Sequence, residues 1–437
     1  MTRVRPIVLV LFLTLSVPAA VLAQAPPPIV GRVLTLDECI AIALEAQPSI
    51  QATLHDYAAA RARVREALAP LLPQIAATAS TFQTTSTSRT TSTSTGRSVT
   101  VTTTSRFADN FLTQIQASQL LFDFGKTLAA TQTARKLAEV SAEGVELQRQ
   151  IIALTVKEAY TNTAFSQRLI RVQEQALERA ELNLESAKGF LEAGTQPLNT
   201  VARAQVDVAN AKVDLINARN ALRTARVALN TAMAVDVSTP TEIKDNLEYE
   251  PSTLDRAALR AEALRQSPEY RQAKLQSSAA EASFRAASRN FLPDISGTGS
   301  YGGTQPQLNP TWTVGLAFSW TLFDGGRLIA AYHEAKEILD AANARVKVAE
   351  LTLFQNLEQA EIAVEAAQER IQAAKVVINS AQENFRLAQG RFDVGVGTIL
   401  ELTDAQLALT QAQNTEALAL SDYRIALATL DRAAGRR

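Results

Sequence analysis

The chain has 437 residues, of which 46% are hydrophobic and only 5% aromatic, and its formal net charge is −1. A chain of this length and apolar share can bury a large core, and the low aromatic share favours Ala-rich helical packing. The balanced charge, without a long basic run, gives no indication of a nucleic-acid partner.

The first 23 residues have the features of a secretory signal peptide. Arg3 and Arg5 precede a short apolar stretch, and Val21-Leu22-Ala23 forms a small-x-small cleavage site before Gln24. The apolar stretch is too short to cross a membrane, and no run of 18 apolar residues follows it. We therefore expect a mature chain that begins near Gln24, has crossed an inner membrane and has no transmembrane helix.

The sequence is internally duplicated. The motif LFDFGK at 121–126 matches LFDGGR at 322–327 with an offset of 322 − 121 = 201, and Leu72-Pro73 matches Leu292-Pro293 with an offset of 292 − 72 = 220. The first half therefore carries 220 − 201 = 19 additional residues, which fall on a Ser/Thr-rich run at 84–105. Matching segments in a fixed order indicate repeated structural units. The predicted organisation is a signal peptide at 1–23, a first repeat at 24–234, a connector at 235–253 and a second repeat at 254–437.

Each repeat is predicted to run helix, strand, strand, long helix, turn, helix. In the first repeat a helix covers 36 to about 69 and is ended by two prolines, and a weak strand covers 74–83. The Ser/Thr-rich run cannot bury apolar area, so we expect a loop or a solvated ribbon extension there. The returning strand covers about 107–122.

Two very long helices follow the strands. They cover about 124–188 and 327–389, which corresponds to roughly 100 Å each. Asp123 and Asp324 stand at the strand-to-helix joints and are predicted to cap the first turns of these helices.

The helix after the first turn carries an apolar heptad seam, in which alanines let a partner helix approach closely. The seam consists of Val201, Ala204, Val208, Ala211, Leu215, Ala218, Leu222, Ala225, Leu229 and Ala232. The second repeat keeps the same register from Leu402, with Glu416 and Tyr423 expected to interrupt it. The connector is rich in Pro, Asp, Glu and Thr, so we expect it to be irregular and to lie on the outside of the helices.

The last predicted strand alternates strictly between apolar and small or polar residues. Its apolar side consists of Trp312, Val314, Leu316, Phe318, Trp320 and Leu322. The two tryptophans, the only ones in the chain, are 320 − 312 = 8 residues apart, or roughly 26 Å along a strand. Tilted in a membrane, this becomes roughly 20 Å, close to the apolar band of an outer-membrane barrel, which aromatic girdles flank. We predict that this side points outward on a barrel strand; the alternative is a half-buried strand of a soluble sandwich.

Two strands in each repeat are too few to close a barrel. Open strand edges are not viable in lipid, because each unpaired backbone group costs several kcal/mol. A filled barrel needs about eight strands and an aqueous lumen needs more. Several chains are therefore expected to share one barrel, and a trimer with about twelve strands provides a lumen where a dimer provides almost none.

Together these features resemble the TolC-like outer-membrane efflux proteins. The resemblance covers essentially the whole mature chain and rests on LTLDECIAIALEAQPSI, LLFDFGK, WTLFDGGR and GRFDVGVGTILELTDAQ. It implies a mainly α fold with a membrane β-barrel portion: duplicated α-helical hairpins form a periplasmic coiled-coil tunnel, and four strands per chain join a trimeric barrel of about twelve strands. It also implies an outer-membrane location, a homotrimer, a periplasmic adaptor protein and an inner-membrane pump that drives a passive conduit.

The resemblance assigns roles to the two helical turns at 189–197 and 390–398. They would form the periplasmic entrance and meet the adaptor. The tip residues implied are Gly194, Thr195, Gly395, Gly397 and Thr398. The alternative is the ordinary turn chemistry of a helical hairpin.

Members of this family often carry T-x-x-D-V-x-D-A just beyond the second turn, where this chain has TILELTDA from Thr398. Asp404 matches the pattern, and Glu401 departs from it conservatively. By resemblance the two would form an acidic ring at the pore entrance, and Arg203 could pair with Asp404 in a closed state. The alternative is an acidic pair favoured at a helix N-terminus.

The sequence contains no pattern for a catalytic or metal site. His55 and His333 stand far apart on predicted helices, and Cys39, the only cysteine, is predicted to be a small apolar helix residue. We expect no cofactor and no enzymatic activity. The sequence favours small-molecule efflux but leaves open type I protein secretion and a periplasmic coiled-coil protein without a pore.

Overall fold

The computed structural model describes residues 32–94, 98–245, 247–251, 255–305 and 310–437, so the predicted signal peptide lies outside the described residues. The helices are α1 (Leu36–Ala46), α2 (Pro48–Leu68) followed by a 3-10 turn (Ala69–Leu71), α3 (Lys126–Glu192), α4 (Leu198–Ala232), α5 (Arg256–Gln266), α6 (Pro268–Arg289), α7 (Arg327–Asp393) and α8 (Ile399–Ala433). The strands are β1 (Val33–Leu34), β2 (Gln74–Ser94), β3 (Ser98–Phe122), β4 (Glu242–Ile243), β5 (Asp294–Gln305) and β6 (Thr311–Ser319). Among the described residues, none of the helices has an apolar stretch long enough to span a membrane.

The bounds of the helices repeat the offsets of the duplicated sequence. α3 and α7 have 67 residues each and start 327 − 126 = 201 positions apart, and α4 and α8 have 35 residues each and start 399 − 198 = 201 positions apart. α1 and α5 start 256 − 36 = 220 positions apart. Each half therefore contains a hairpin, α3–α4 or α7–α8, whose long arm measures roughly 100 Å.

The prediction of one continuous first helix is wrong, because the structure divides it into α1 and α2. The division lies at Gln47, whose backbone is extended, and Pro48 is the first residue of α2. Proline lacks a backbone N–H, and its ring clashes with the carbonyl four residues earlier, so α1 cannot continue through it. Ser267 and Pro268 produce the same break between α5 and α6.

One antiparallel sheet contains β2, β3, β5 and β6 in that order. Ile115 of β3 pairs with Tyr301 of β5, which in turn pairs with Trp312 of β6. Directly opposed residues point to the same side of an antiparallel sheet, so this register collects the apolar side chains on one side. This apolar sheet face contains Ile75, Phe111, Ile115, Tyr301, Trp312, Val314, Leu316 and Phe318. The opposite face contains Gln114, Gln116, Ser118, Thr298, Ser300 and Thr313.

β2 and β3 continue far beyond the rest of the sheet. They pair with each other up to Ser94 opposite Ser98, whereas β5 ends opposite Phe111 of β3. The Ser/Thr-rich run is therefore a two-stranded ribbon, the second of the two forms expected for it. For the same reason β3 begins at Ser98 and not near 107.

An aspartate at each strand-to-helix joint holds the first turn of the long helix, as predicted. Asp123 accepts hydrogen bonds from the backbone nitrogens of Gly125 and Thr127 at 2.9 and 2.7 Å. In the other half, Asp324 accepts the equivalent of the Thr127 bond at the start of the long helix. The residue before each helix has a left-handed backbone, with φ 81° at Gly125 and 89° at Gly326. Only glycine adopts this conformation without strain, which explains why both motifs have it there.

The heptad seams pack each long helix against its return helix. The buried seam residues of α4 are Val201, Ala204, Val208, Leu215, Ala218, Leu229 and Ala232, and those of α8 are Leu402, Ala405, Leu409, Ala412, Ala419, Ala426 and Leu430. The prediction that Tyr423 interrupts the second seam is wrong, because its side chain is fully buried and its hydroxyl donates to the Glu250 carbonyl at 2.6 Å. The aromatic ring fills the seam, and the hydroxyl at its end forms a hydrogen bond outside the seam.

The connector is part of the largest hydrophobic core, so the expectation that it only wraps the outside is wrong in part. Its residues Ile243 and Leu247 are buried in this core, and β4 pairs in parallel with β1. Tyr160 of α3 donates to the Lys244 carbonyl at 2.6 Å, and Arg171 forms an ion pair with Asp245. The backbone is mostly irregular, as expected, but it is fixed to α3 by these two contacts.

Candidate functional site

The apolar sheet face is uncovered in the single chain. Its members on β6 are exposed by 73% at Trp312, 79% at Val314, 77% at Leu316 and 64% at Phe318. The predicted strand extended through Trp320 to Leu322, but β6 ends at Ser319. Trp320 therefore lies one residue beyond the strand, where its indole nitrogen donates to the Phe291 carbonyl at 3.0 Å. A continuous apolar surface formed by side chains this exposed indicates a contact with a membrane or with another protein. The tryptophans do not lie in a core of this chain, which excludes the sandwich alternative within one chain.

The two hairpin tips end their long helices in the same way. In the first tip Gly194 has φ 70°, and Thr195 donates its backbone N–H to the Phe190 carbonyl at 3.0 Å. In the second tip Gly395 has φ 78° and the equivalent backbone bond is present. A glycine with a left-handed backbone thus lets the chain reverse while the last carbonyls of the helix stay paired. The turn chemistry expected as the alternative role of these glycines is present at both tips.

The backbone around Gly397 in the second tip leaves no room for a side chain. A Cβ atom at Gly397 would lie 2.9 Å from the Phe392 nitrogen, closer than such atoms approach in proteins, and 3.0 Å from the carbonyl carbon of Arg391, which is also very tight. Thr398 then caps α8, since its hydroxyl accepts a hydrogen bond from the Glu401 nitrogen at 3.2 Å. A side chain at position 397 would therefore force the tip open.

An aromatic contact between the tips was not predicted. The rings of Phe190 and Phe392 meet edge to face with their centroids 5.4 Å apart, and Phe392 is almost fully buried. This contact joins α3 to α7 and so links the two hairpins at their ends. The available signal is weak: a phenylalanine stands within one turn of each tip glycine.

Polar side chains also link the two hairpins just above the tips. Thr403 donates to Asp207 at 2.9 Å, and Asn183 donates to Gln406 at 2.8 Å. The contacts within each hairpin are apolar seams, whereas these contacts between hairpins are hydrogen bonds. Polar groups regain bonds to water when they separate, so these two hydrogen bonds cost less to open than the seams, whereas the Phe190–Phe392 contact beside them would lose apolar burial.

The two acidic residues predicted for the pore entrance lie at the start of α8. Glu401 and Asp404 are exposed and 404 − 401 = 3 positions apart, so they share one side of the helix. Glu401 lies 3.6 Å from the guanidinium of Arg391 at the end of α7. Asp404 has no ion-pair partner among the described residues, and Arg203 is exposed on α4 without an ion pair to it in the single chain.

The described residues contain no group of three His, Cys, Asp or Glu side chains that could hold a metal ion. His55 and His333 are exposed on their helices. Cys39 is completely buried in α1, and burial raises the pKa of its thiol to about 12. The side chain packs in the largest hydrophobic core, where the reactive thiolate is disfavoured, so the interpretation of Cys39 as a packing residue is confirmed.

Comparison with known proteins places this geometry in a family. The family model described as Outer membrane efflux protein matches residues 39–235 and 259–436, most of both halves. The chain belongs to this family. The family and the fold are those of channels in the outer membrane, with the helical hairpins in the periplasm.

Two curated relatives of this outer membrane efflux protein come from Pseudomonas putida. It is 25% identical to the pyoverdine export outer membrane protein OpmQ over 404 residues, which cover 86% of this chain and 82% of OpmQ. It is 25% identical to the probable efflux pump outer membrane protein TtgC over 300 residues, which cover 66% of this chain and 61% of TtgC. The match thus spans less than two thirds of the length of TtgC.

Solved channels have the same fold as this outer membrane efflux protein. The outer-membrane channel OprN superimposes with a TM-score of 0.78 at 20% identity, over 92% of this chain and 90% of OprN. VceC of Vibrio cholerae superimposes with a TM-score of 0.74 at 19% identity, over 92% and 96% of the two chains. The predicted fold class, mainly α with duplicated hairpins and four strands for a membrane barrel, is confirmed.

Proposed function

We propose that the chain forms a passive trimeric channel in the outer membrane, which exports small molecules from the periplasm. The observation that carries this proposal is the sheet of four strands, which has an exposed apolar face and two unpaired edges above hairpins of roughly 100 Å. In lipid these edges require strands from other copies. Three copies supply about twelve strands, which is enough for an aqueous lumen.

Small molecules are proposed as the cargo on the basis of relatives. Matching proteins of Pseudomonas putida are described as a toluene efflux pump outer membrane protein, an antibiotic efflux pump outer membrane protein and a pyoverdine export outer membrane protein. These cargoes are of low molecular mass, which favours small-molecule efflux over type I protein secretion.

The partners proposed are a periplasmic adaptor, which docks at the hairpin tips, and an inner-membrane pump, which supplies the energy. The docking residues are Gly194, Thr195, Gly395, Gly397 and Thr398. What supports docking here is that the tips are the ends of the hairpins farthest from the sheet and carry uncovered apolar side chains, 74% exposed at Val394 and 71% at Val396.

A deletion strain tests this function. We expect a strain without the gene to become more susceptible to antibiotics, dyes and organic solvents, and expression of the chain to restore resistance. The same strains should have equal sets of secreted proteins. Unchanged susceptibility together with loss of a secreted protein would contradict small-molecule efflux and favour type I secretion. Failure of the protein to sediment with outer membranes would contradict a channel altogether.

The pore entrance is proposed to carry an acidic ring of Asp404 and Glu401 from each copy. Arg391 partly neutralises Glu401 at 3.6 Å, whereas Asp404 has no cationic partner among the described residues of its own chain. Asp404 therefore contributes most of the negative potential, and carboxylates near a symmetry axis attract cations. Arg203 is proposed to pair with Asp404 of an adjacent hairpin in the closed state.

Single-channel conductance in planar bilayers tests the ring. We expect Asp404→Asn to lower cation preference and to weaken block by multivalent cations, because it removes an unpaired charge from each copy. Glu401→Gln should have a smaller effect, since that carboxylate already faces Arg391. Glu416→Gln, farther along α8, is the matched control. If Asp404→Asn leaves both properties unchanged, the acidic ring is wrong.

A further inference from the structure

A hydrogen bond between two amide side chains joins the halves of the chain near the hairpin tips. Asn183 of α3 donates to the side-chain oxygen of Gln406 of α8 at 2.8 Å, and the Gln406 amide donates to the Ala176 carbonyl at 3.0 Å. Asn183 is only 9% exposed. The bond therefore lies inside the contact between the two hairpins, where a buried amide requires a partner.

The duplicated sequence places the same two amides on the outer helices of the hairpin pair. With the offset of 201, Asn183 corresponds to Asn384 of α7 and Gln406 to Gln205 of α4. α3 and α8 lie side by side in the middle, so α7 and α4 stand at opposite ends of the row. In the single chain Asn384 and Gln205 are both exposed. Each end of the row thus carries one partner of the bond without the other.

A second contact between the halves lies at the strand-to-helix joints. The Lys126 ammonium donates to the Leu292 carbonyl at 2.6 Å and lies 2.7 Å from the Asp294 carboxylate. The lysine side chain is only 17% exposed. This contact ties the first residue of α3 to the start of β5, so it holds the joint of one half against the strand of the other.

The equivalents of this second contact stand at opposite edges of the chain. The offsets of 201 and 220 relate the lysine to Arg327 and its two partners to Leu72 and Gln74. Arg327 begins α7, which follows the edge strand β6, and Gln74 begins the other edge strand, β2. The Arg327 side chain is 71% exposed. The Leu72 carbonyl and the Gln74 side-chain oxygen can both accept a hydrogen bond from a guanidinium, but they lie on the far edge of the chain.

The pairing of the strands shows that these offsets hold residue by residue. Gln74 pairs with Ser118 in the first half, and Asp294 pairs with Ser319 in the second. These are equivalent positions, since 294 − 74 = 220 and 319 − 118 = 201. Equivalent residues of the two halves therefore face neighbours in the same way, whether the neighbour is the other half or another copy.

The duplication does not repeat every contact between the halves. Arg271 of α6 forms an ion pair with Glu143 of α3, but the equivalent positions hold Gln51 and Ala344. The amide pair and the joint contact are thus retained selectively, which a surface that faces only water would not require.

We propose that each copy meets the next through the contacts that join its own two halves. Asn384 of one copy donates to Gln205 of the next, and Arg327 donates to the Leu72 carbonyl and the Gln74 side chain of the next. In a closed ring the second half of each chain faces the first half of the following chain, so equivalent sides meet at both kinds of boundary. The inference rests on the proposed trimeric channel and specifies which residues hold its copies together.

Cross-linking in the full-length channel tests the amide contact. Asn384→Cys/Gln205→Cys, treated with a short bismaleimide, should give covalently linked chains on a denaturing gel. Asn183→Cys/Gln406→Cys is the matched positive control, because the same geometry lies within one chain and should give single chains with blocked thiols. Asn384→Cys/Arg219→Cys should leave the chains unlinked, since Arg219 lies 219 − 205 = 14 positions, or roughly 21 Å, farther along the same side of α4.

A charge change at the joint provides a second, independent measurement. Gln74→Asp gives Arg327 the carboxylate partner that Lys126 has in Asp294. We expect it to raise the temperature at which the complex dissociates on a denaturing gel, relative to its effect in the Arg327→Gln background. In the background of Arg345→Gln, an exposed residue farther along α7, the gain should be unchanged.

The inference is overturned if native mass spectrometry gives three chains per complex but Asn384→Cys/Gln205→Cys does not link them, or links them no better than Asn384→Cys/Arg219→Cys. It is also overturned if the effect of Gln74→Asp is the same in the Arg327→Gln background. In both cases the proposed channel stands, whereas a single chain per complex would overturn the channel as well.

Discussion

Glu361 of α7 is the least expected single residue of the structure. Its carboxyl group is fully buried, and neither oxygen has a hydrogen-bond partner among the described residues. The nearest cation is Arg256 of α5, whose Nε lies 3.4 Å away, and Arg260 also approaches. Glu358 and Glu365 share these two arginines, so three carboxylates face two cations. Burial and the surplus of negative charge raise the pKa of Glu361 above its usual value.

This burial predicts that stability falls as the pH rises. The native state holds the proton of Glu361 more tightly than the unfolded state does, so the residue favours the fold below its ordinary pKa of about 4.5 and loses that effect as the pH rises through the native pKa. We expect Glu361→Gln to flatten the dependence of the apparent Tm between about pH 4 and 8 and to raise the Tm at the upper end. Thermal unfolding followed by circular dichroism measures both.

Glu369→Gln is the matched control for this measurement. Glu369 is exposed on the same helix and has no ion pair with Arg256 or Arg260 among the described residues, so its removal should not flatten the curve. Parallel pH curves for the wild type and Glu361→Gln would contradict the assignment.

At the scale of helices and strands, periodic patterns in the sequence predicted more of the structure than single residues did. Alternation placed Trp312 and Phe318 on one side of β6, and the pairing register then placed Ile115 and Tyr301 on the same side. The heptad of α4 is buried at seven of its ten positions, as its spacing indicated, because one apolar stripe packs against one neighbouring helix. The prediction for Tyr423 was wrong because a pattern of apolar residues counts any tyrosine as polar. In the structure its hydroxyl has a hydrogen-bond partner in the connector, so the ring can be buried.

At the scale of the molecule, the strand order leaves β2 and β6 with one unpaired edge each. In an aqueous sheet such edges are a hazard, and in lipid they are not viable. The two edges therefore form the contacts through which copies close a barrel. The roughly 100 Å hairpins extend from the same sheet, so closing the barrel also gathers the hairpins into a tunnel.

This arrangement predicts that β2 of one copy lies beside β6 of the next. Native mass spectrometry should give three chains per complex. Cysteines at Thr78 of β2 and at a polar-face position of β6, such as Thr313, should form disulfides between chains when the register brings them together, so several β6 positions are tested in turn. Ser296→Cys on the interior strand β5 should not cross-link to Thr78→Cys. A monomer, a dimer or cross-links within one chain only would contradict shared closure.

Much of the fold was predictable because it depends on local or periodic information. The offsets of 201 and 220, the capping aspartates and the alternating strand are properties of short segments, and the bounds of the helices follow them. The helix break at Pro48 was not predicted, although the missing N–H of proline and the clash of its ring are themselves local effects.

The remaining features depend on contacts between segments far apart in the chain. The Phe190–Phe392 contact, the burial of Glu361 and the packing of Leu247 each require a neighbour that the surrounding sequence does not specify. The same holds for Asn183 and Asn384, which occupy equivalent positions in the two halves but differ because, among the described residues, only Asn183 has a hydrogen-bond partner. Periodicity states which side of a helix is apolar, whereas burial and charge pairing depend on what the tertiary structure places against that side.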